Sequence, residues 1–184
     1  MRSRLFWFLW VAYFITAACV YLVSTHLVPR SMDVDISPAV AAGILSVLGV
    51  ASIAGRVLSG RASDISGRRL IGVVSGAVGA ASLLWLVWIG DVWSFYVFGV
   101  IFGLAWGGIV TMITAAVGDV FGMKHLGAVM GVISIAWAAG AAVGPVVGGY
   151  IYDFCGNYMP AFLFGAVIMA AASILMGGLR KGRA

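Results

Sequence analysis

The stretch Gly60-Arg61-Ala62-Ser63-Asp64-Ile65-Ser66-Gly67-Arg68-Arg69 separates two long apolar runs with a short, strongly basic segment. Glycines frame it, and it concentrates charge in a chain where only 9% of the residues are charged. A basic break of this kind is typical of a cytoplasmic loop between two membrane helices. We therefore expect residues 59–69 to form a connection with one membrane-spanning helix on either side.

The composition excludes most soluble proteins. Hydrophobic residues make up 63% of the 184 residues, the mean hydropathy is +1.12, and glutamate is absent. Soluble domains carry about a quarter charged residues, whereas apolar runs of about 20 residues are long enough to cross a bilayer as helices. The strict alternation of a membrane β-barrel is missing. The chain is predicted to be an all-α, polytopic membrane protein.

The motifs of several enzyme classes are also missing. The sequence has no Gly-x-Ser-x-Gly elbow, no His-Glu-x-x-His motif and no phosphate-binding loop. Its cysteines form no ligand or disulfide pattern. We predict no enzymatic activity, no cofactor, no metal site and no nucleic-acid partner.

Six apolar segments are long enough to span a bilayer, and we expect them to form one bundle over residues 1–184. They cover about residues 5–24, 38–58, 70–89, 92–117, 126–151 and 158–179. The predicted connections are residues 25–37, 59–69, 90–91, 118–125 and 152–157. An even number of spans places both termini on one side of the bilayer.

The distribution of charge predicts which side that is. With the termini in the cytoplasm, that side holds ten of the eleven basic residues: Arg2, Arg4, Arg56, Arg61, Arg68, Arg69, Lys124, Arg180, Lys181 and Arg183. The other side keeps only Arg30, together with Asp33, Asp35, Asp91 and Asp153. Basic residues in short loops favour the cytoplasmic side, so we expect an integral membrane protein with both termini in the cytoplasm.

Glycines recur at intervals of four along several spans. The sets are Gly72/Gly76, Gly99/Gly103/Gly107 and Gly140/Gly144/Gly148. Small residues at this spacing let helix backbones approach closely in a membrane. The fifth span also contains Pro145, at which we expect a bend.

Two of these motifs together resemble the major facilitator superfamily of membrane transporters. The segment Gly60-x-x-x-Asp64-x-x-Gly67-Arg68-Arg69 is similar to the signature loop between the second and third helices of each six-helix half. The segment Gly131-x8-Gly140-x3-Gly144-Pro145-x2-Gly148-Gly149 is similar to the glycine-proline motif on the fifth helix of a half. Both motifs lie on the corresponding segments here, so the resemblance covers nearly the whole chain.

The first motif also has a physical interpretation. We expect Gly60 and Gly67 to permit the turn, and Asp64 to pair with a basic group or to cap the following helix. Such a cluster would act as a conformational latch. The alternative is that its arginines only fix the topology.

Further segments resemble the second half of the monocarboxylate transporter and oxalate–formate antiporter branch. They are Thr25-His26-Leu27-Val28-Pro29, Phe121-Gly122-x-Lys124-His125-x-Gly127, and the run from Gly149 to Phe162. The fourth span lacks the basic residue that is usual in first halves, and the chain ends soon after Arg180. We therefore expect helices seven to twelve of a transporter. The fifth span lacks the cation of the oxalate–formate type, which disfavours a dicarboxylate.

Arg56 is the one basic residue well inside an apolar run, and such a charge is a functional candidate. It resembles an arginine that faces the substrate cavity in the monocarboxylate branch and could bind a carboxylate through two parallel hydrogen bonds. The alternative is an arginine that reaches the cytoplasmic lipid head groups. Further candidates for the cavity wall, for which packing is the alternative, are Tyr13, Trp106, Thr111 and Trp137. His26 is expected to be a loop histidine or a group that titrates with transported protons.

The sequence thus predicts alternating-access transport of a small solute, such as a monocarboxylate, by the C-terminal half of a carrier. The resemblance implies a symporter or an antiporter that couples the substrate to a proton or a counter-anion. A separate N-terminal six-helix half or a second copy would complete it. Two alternatives stay open: a truncated, non-transporting remnant, and a self-associating membrane protein or channel.

Overall fold

The computed structural model describes residues 2–122 and 126–178, with side chains from Arg4 onward. Six helices account for nearly all of these residues: α1 Arg2–Met32, α2 Pro38–Ser66, α3 Arg68–Leu86, α4 Val92–Phe121, α5 Leu126–Cys155 and α6 Met159–Gly178. Each is long and apolar enough to cross a membrane, and the described ranges contain no β-strand. The prediction of an all-α protein with six spans is confirmed. Lys124, His125, Arg180, Lys181 and Arg183 lie outside the described residues.

Most helices are longer than the apolar runs that predicted them. The connection expected at residues 25–37 is largely helical, because α1 continues through Pro29 to Met32. In this last turn the Ser31 hydroxyl donates to the Val28 carbonyl at 2.7 Å. A drop in hydropathy therefore marks the water interface and not the end of the helix.

The basic segment around Gly60 was expected to be a loop, and this was wrong. Residues 59–66 belong to α2, and Gly60 lies inside that helix with no atom near the position of a Cβ. The chain breaks only at Gly67, which has φ +85° and whose N–H donates to the Ser63 carbonyl at 2.9 Å. Arginine and alanine are good helix formers, so charge at an aqueous interface does not interrupt the helix.

The helices pack in three close pairs, and the glycine spacing lies at each contact. A Cβ at Gly107 of α4 would collide with the Ser52 carbonyl oxygen of α2, and one at Gly144 of α5 with the Ala18 carbonyl oxygen of α1. In the pair of α3 and α6, a Cβ at Gly76 would lie 2.7 Å from the Ser173 Cβ. Small residues thus allow backbone-to-backbone contact.

The core lies around α4, and two other helices leave broad apolar faces uncovered. Fully buried aromatic and aliphatic side chains fill the centre, including Phe95, Phe98, Phe102, Phe162 and Leu83. By contrast, α2 exposes Val50, Ile53 and Val57, and α5 exposes Ile135 and Val146. In the described residues, α5 is the least buried of the six helices. These faces need lipid or another protein to cover them.

Two ends of the bundle carry the polar groups. The Gly67 end contains Gly67, Gly122 and the start of α1, where the Phe6 and Phe121 rings meet at 6.2 Å. The Arg30 end is the opposite one, where the Asp35 and Gly156 turns lie and where Arg30 of α1 donates to the Ile89 carbonyl.

Candidate solute-binding site

Arg56 lies on α2 beside the face of Trp106 on α4. Its guanidinium carbon is 6.0 Å from the centroid of the indole, a distance at which a cation interacts with an aromatic ring. The two helices come this close because α4 has a glycine here: a Cβ at Gly107 would lie 2.9 Å from the Arg56 backbone nitrogen. The sequence candidates Arg56 and Trp106 are therefore neighbours.

The charge of Arg56 is not neutralised by a carboxylate of the described residues. The side chain is exposed, and no carboxylate among residues 4–122 and 126–178 lies within 4.0 Å of it. A charge within a span is costly unless it has a partner or faces a polar cavity. Because the indole balances only part of that charge, this position is suited to an anion.

Trp106 contributes an uncommitted donor next to this cation. Its indole Nε1 is buried, and none of the described residues accepts a hydrogen bond from it. A buried donor without a partner costs roughly 1–3 kcal/mol. An acceptor bound beside Arg56 would remove that cost.

Tyr13 and Trp137 lie on the neighbouring helices α1 and α5. Their rings are tilted against each other at a centroid distance of 4.9 Å, and Tyr21 extends this aromatic contact at 6.1 Å from Trp137. The Tyr13 side chain is close to Thr114 of α4, and Arg56 is near enough to act on the Tyr13 phenol electrostatically. Four helices thus contribute one polar and aromatic face.

Thr111 differs from the other candidates. Its hydroxyl donates to the Gly107 carbonyl of its own helix at 2.8 Å. Thr114, which was not among the predicted site residues, is the threonine near Tyr13. The helical spacing of eight residues from Trp106 to Thr114 would have predicted it, because residues four and eight apart share one face.

The Gly67 end contains the residues expected to form a latch, but with different partners. Arg68 forms an ion pair with Asp119 of α4 and also donates to the Ala115 carbonyl at 3.3 Å. Asp64 is exposed, and it forms no ion pair or hydrogen bond with any described residue. The expectation that Asp64 caps α3 was therefore wrong, because Gly67 is the N-cap of α3 and no side chain caps it. Pairing of Asp64 with a basic group outside the described ranges stays a prediction. The break at Gly67 separates Asp64, at the end of α2, from the start of α3.

The glycine-proline motif lines the contact of α5 with α1. Cβ atoms at Gly140 and Gly144 would collide with the Phe14 and Ala18 carbonyl oxygens. The next member of the stripe, Gly148, faces His26: a Cβ there would be 2.6 Å from the imidazole Nε2. Gly149, the last glycine of the motif, is more open, with His26 at 3.9 Å.

His26 was expected to lie in a loop, and this was wrong. It is a buried residue of α1 whose Nε2 lies 3.0 Å from the Pro145 carbonyl oxygen, within hydrogen-bonding distance. α5 is a single helix from Leu126 to Cys155, with Pro145 inside it.

The arrangement around Arg56 provides binding groups and no obvious reactive pair. It combines one cation, two indoles and a phenol, which suits recognition of a small carboxylate through charge and hydrogen bonds. Within the described ranges, no three His, Cys, Asp or Glu side chains are placed to hold a metal ion.

Comparison with known proteins identifies similar sequences. A sequence profile described as Major Facilitator Superfamily matches residues 9–183. Monocarboxylate transporter 12 of Xenopus laevis is 30% identical over 177 residues, which cover 92% of this chain and 37% of that protein. Monocarboxylate transporter 13 of Rattus norvegicus is 25% identical, over 85% of this chain and 37% of the relative. The chain thus spans little more than a third of the length of these relatives.

Proposed function

Because the chain belongs to the major facilitator superfamily, we propose that it takes part in transport of a small organic anion, such as a monocarboxylate, across a membrane. The observation that carries this proposal is the position of Arg56, an exposed cation on a membrane helix, over the ring of Trp106. Its charge has no carboxylate partner among the described residues. The names of the relatives point to the same class of substrate.

In this proposal each side chain has a defined role. Arg56 binds the carboxylate through two parallel hydrogen bonds, and the Trp106 Nε1 supplies a third donor. Tyr13 and Trp137 form the apolar wall against which the rest of the solute packs. Coupling to a proton or to a counter-anion would make the carrier a symporter or an antiporter.

We further propose that the chain works as the C-terminal half of a carrier. It spans about a third of the relatives it resembles, and α2 and α5 expose apolar faces that another protein can cover. An N-terminal six-helix half would complete the site at Arg56, and rocking of the two bundles about this site would give alternating access. A second copy of the chain is the alternative partner.

The remaining motif residues have proposed roles in that motion. The Gly67 break and the Arg68–Asp119 pair hold the α2–α3 connection against the end of α4. Asp64 and Arg69 are exposed at the same end, where a partner bundle can contact them. In the predicted orientation this end and both termini are cytoplasmic.

The experiment that tests this function is uptake of labelled monocarboxylates into vesicles. Three preparations are compared: the chain alone, the chain with a candidate N-terminal half, and that pair carrying Arg56→Gln. Arg61→Gln is the matched control, because Arg61 is an exposed arginine on the same helix. We expect uptake only with the partner, loss of uptake with Arg56→Gln, and little change with Arg61→Gln.

Three outcomes would contradict the proposal. Absence of uptake in every arrangement, despite verified membrane insertion, would favour a remnant that keeps the fold without the activity. Conductance through the purified chain alone would favour a self-associating channel. Equal loss of uptake from Arg56→Gln and Arg61→Gln would remove Arg56 as the specific anion-binding group.

A further inference from the structure

A cavity of about 270 Å³ lies at the Arg30 end of the bundle. The end of α1 and the α5–α6 connection form its walls, which consist of Arg30, Asp33, Tyr152, Gly156, Asn157, Tyr158 and Met159. Arg56 and the other residues of the proposed transport site are absent from this lining. The volume is slightly below the range of typical ligand pockets, which limits an occupant to a small molecule.

The Arg30 guanidinium has an N–H donor for which no described residue is the acceptor. Its Nη2 donates to the Ile89 carbonyl at 3.4 Å, a long hydrogen bond, and its Nε is buried without an acceptor among the described residues. A guanidinium presents five N–H groups in a planar fork that matches a carboxylate. Arg30 therefore fits a carboxylate-bearing ligand.

Asp33 brings the opposite charge to the same cavity. It lies three residues after Arg30, where its backbone N–H donates to the Pro29 carbonyl at 3.0 Å. The two side chains nevertheless form no ion pair within 4.0 Å of each other. A ligand that carries both charges can pair with both side chains. A simple anion would be repelled by Asp33, and a simple cation would be repelled by Arg30.

Two stacked tyrosines form the aromatic wall. The Tyr158 ring is 9% exposed and lies between Tyr152, at a centroid distance of 4.2 Å, and His26, at 5.2 Å. Burial raises the pKa of the Tyr158 phenol, and Tyr152, Asp33 and Asp153 act in the same direction. The phenol is therefore protonated at neutral pH and adds a neutral hydrogen-bonding group to the cavity.

We propose that this cavity binds a small zwitterion, whose carboxylate pairs with Arg30 and whose cationic nitrogen pairs with Asp33. The site is separate from Arg56 and does not depend on the transport proposal. Asn157 and the tyrosine hydroxyls supply the remaining polar contacts.

Three probes of similar size test the requirement for both charges: glycine as the zwitterion, acetate as the anion and methylammonium as the cation. Binding to the full chain in lipid nanodiscs is measured by saturation-transfer NMR at neutral pH. We expect glycine to bind about tenfold more tightly than either single-charge probe, the factor that one charge-assisted hydrogen bond contributes. Equal binding of acetate and glycine, or no binding of any probe, would overturn the proposal.

Variants then assign the two charges. Arg30→Gln removes the partner of the carboxylate and is expected to abolish the preference for glycine over methylammonium. Asp33→Asn removes the partner of the cationic nitrogen and is expected to abolish the preference for glycine over acetate. Asp35→Asn is the control for Asp33, because it removes the same charge nearby outside the cavity, at φ 62°, where asparagine is tolerated. If Arg30→Gln fails to fold, Arg30→Lys tests the role of the arginine. Arg30→Lys is expected to weaken glycine binding, because lysine cannot form the two parallel hydrogen bonds.

Arg56→Gln separates this site from the proposed transport site. We expect the preference for glycine over acetate to persist in this variant. Loss of glycine binding in Arg56→Gln with retention in Arg30→Gln would overturn the assignment, as would an equal effect of Asp35→Asn and Asp33→Asn.

Discussion

The Arg68 guanidinium at the start of α3 donates to the Asp119 carboxylate near the end of α4 and so connects two segments 51 residues apart. Their side chains are 44% and 58% exposed. Exposed ion pairs contribute only on the order of 0.2–1 kcal/mol to stability. The pair therefore contributes little to the stability of the bundle, and we propose that it positions the α2–α3 connection instead.

Because the ion pair contributes little to stability, we expect the protein to fold when Arg68 and Asp119 are swapped with each other. Asp119→Asn is expected to lower the unfolding free energy of the chain by less than about 1 kcal/mol, but to reduce uptake by the assembled carrier. The reversed pair, Arg68→Asp with Asp119→Arg, should recover part of that uptake because it restores the ion pair. Thermal unfolding and vesicle uptake measure the two effects, and uptake that stays low in the reversed pair would contradict a role for the ion pair.

Gly144→Ala is predicted to destabilise the protein, whereas Gly131→Ala is not. A Cβ at Gly144 collides with the Ala18 carbonyl oxygen of α1, but a Cβ at Gly131 meets nothing within 4 Å. Both changes raise helix propensity equally, so their difference isolates the contact. We expect a loss of about 1–3 kcal/mol for Gly144→Ala and a neutral or stabilising effect of up to about 1 kcal/mol for Gly131→Ala. Denaturant unfolding in detergent measures both, and equal effects would contradict close packing of α1 on α5.

Trp106→Phe is predicted to affect binding more than stability. It keeps an aromatic ring beside Arg56 and removes the buried Nε1 that lacks an acceptor among the described residues. The melting temperature of the isolated chain should therefore stay the same or rise. In the assembled carrier, loss of this donor should raise KM for the anion by about tenfold. Trp137→Phe is the control, and an equal rise in KM there would remove the proposed role of the indole donor.

Asp91 is predicted to make stability depend on pH in the acidic range. Its carboxylate accepts hydrogen bonds from the Ser94 backbone N–H at 3.0 Å and from the Ser94 hydroxyl at 2.5 Å, which caps α4. These bonds hold the pKa of Asp91 below its ordinary value. The stabilisation is therefore present above the unfolded pKa of about 3.9 and is lost as the pH falls through the lower pKa of the folded state.

Asp91→Asn keeps a capping oxygen but does not titrate, and Asp91→Ala removes the cap. At pH 7 we expect the melting temperature to fall most for Asp91→Ala. As the pH falls below the ordinary pKa of about 3.9, the loss of stability attributable to Asp91 should disappear in both variants. An unchanged acid profile in Asp91→Asn would show that the cap does not contribute to acid sensitivity.

The sequence predicted the architecture because membrane helices leave local signals. Hydropathy over about 20 residues identified six spans, and the interval of four between Gly140, Gly144 and Gly148 identified a helix face suited to close packing. The boundaries were less accurate: hydropathy falls before the helices end, and α1 and α2 continue beyond their apolar runs to Met32 and Ser66.

The candidate site was predictable in part for the same reason. A single charge in an apolar run drew attention to Arg56, and aromatic residues at mid-span depth included Trp106, Tyr13 and Trp137. The threonine beside Tyr13 is Thr114, whereas the Thr111 hydroxyl donates to its own helix, because the rotation of α4 about its axis determines which side chain faces α1. That rotation is set by packing against four other helices.

By itself, the sequence determined the number of membrane helices, the resemblance to a transporter half and the charge at Arg56, all of which depend on residues close together in the chain. Only the tertiary structure decided that Arg68 pairs with Asp119, that His26 lies against Pro145, and that Arg30 and Asp33 share a cavity with Tyr158. The physical reason is that the helix break at Gly67 and the glycine contacts between helices fix each helix in position and rotation. Side chains far apart in the sequence meet only once those rotations are set.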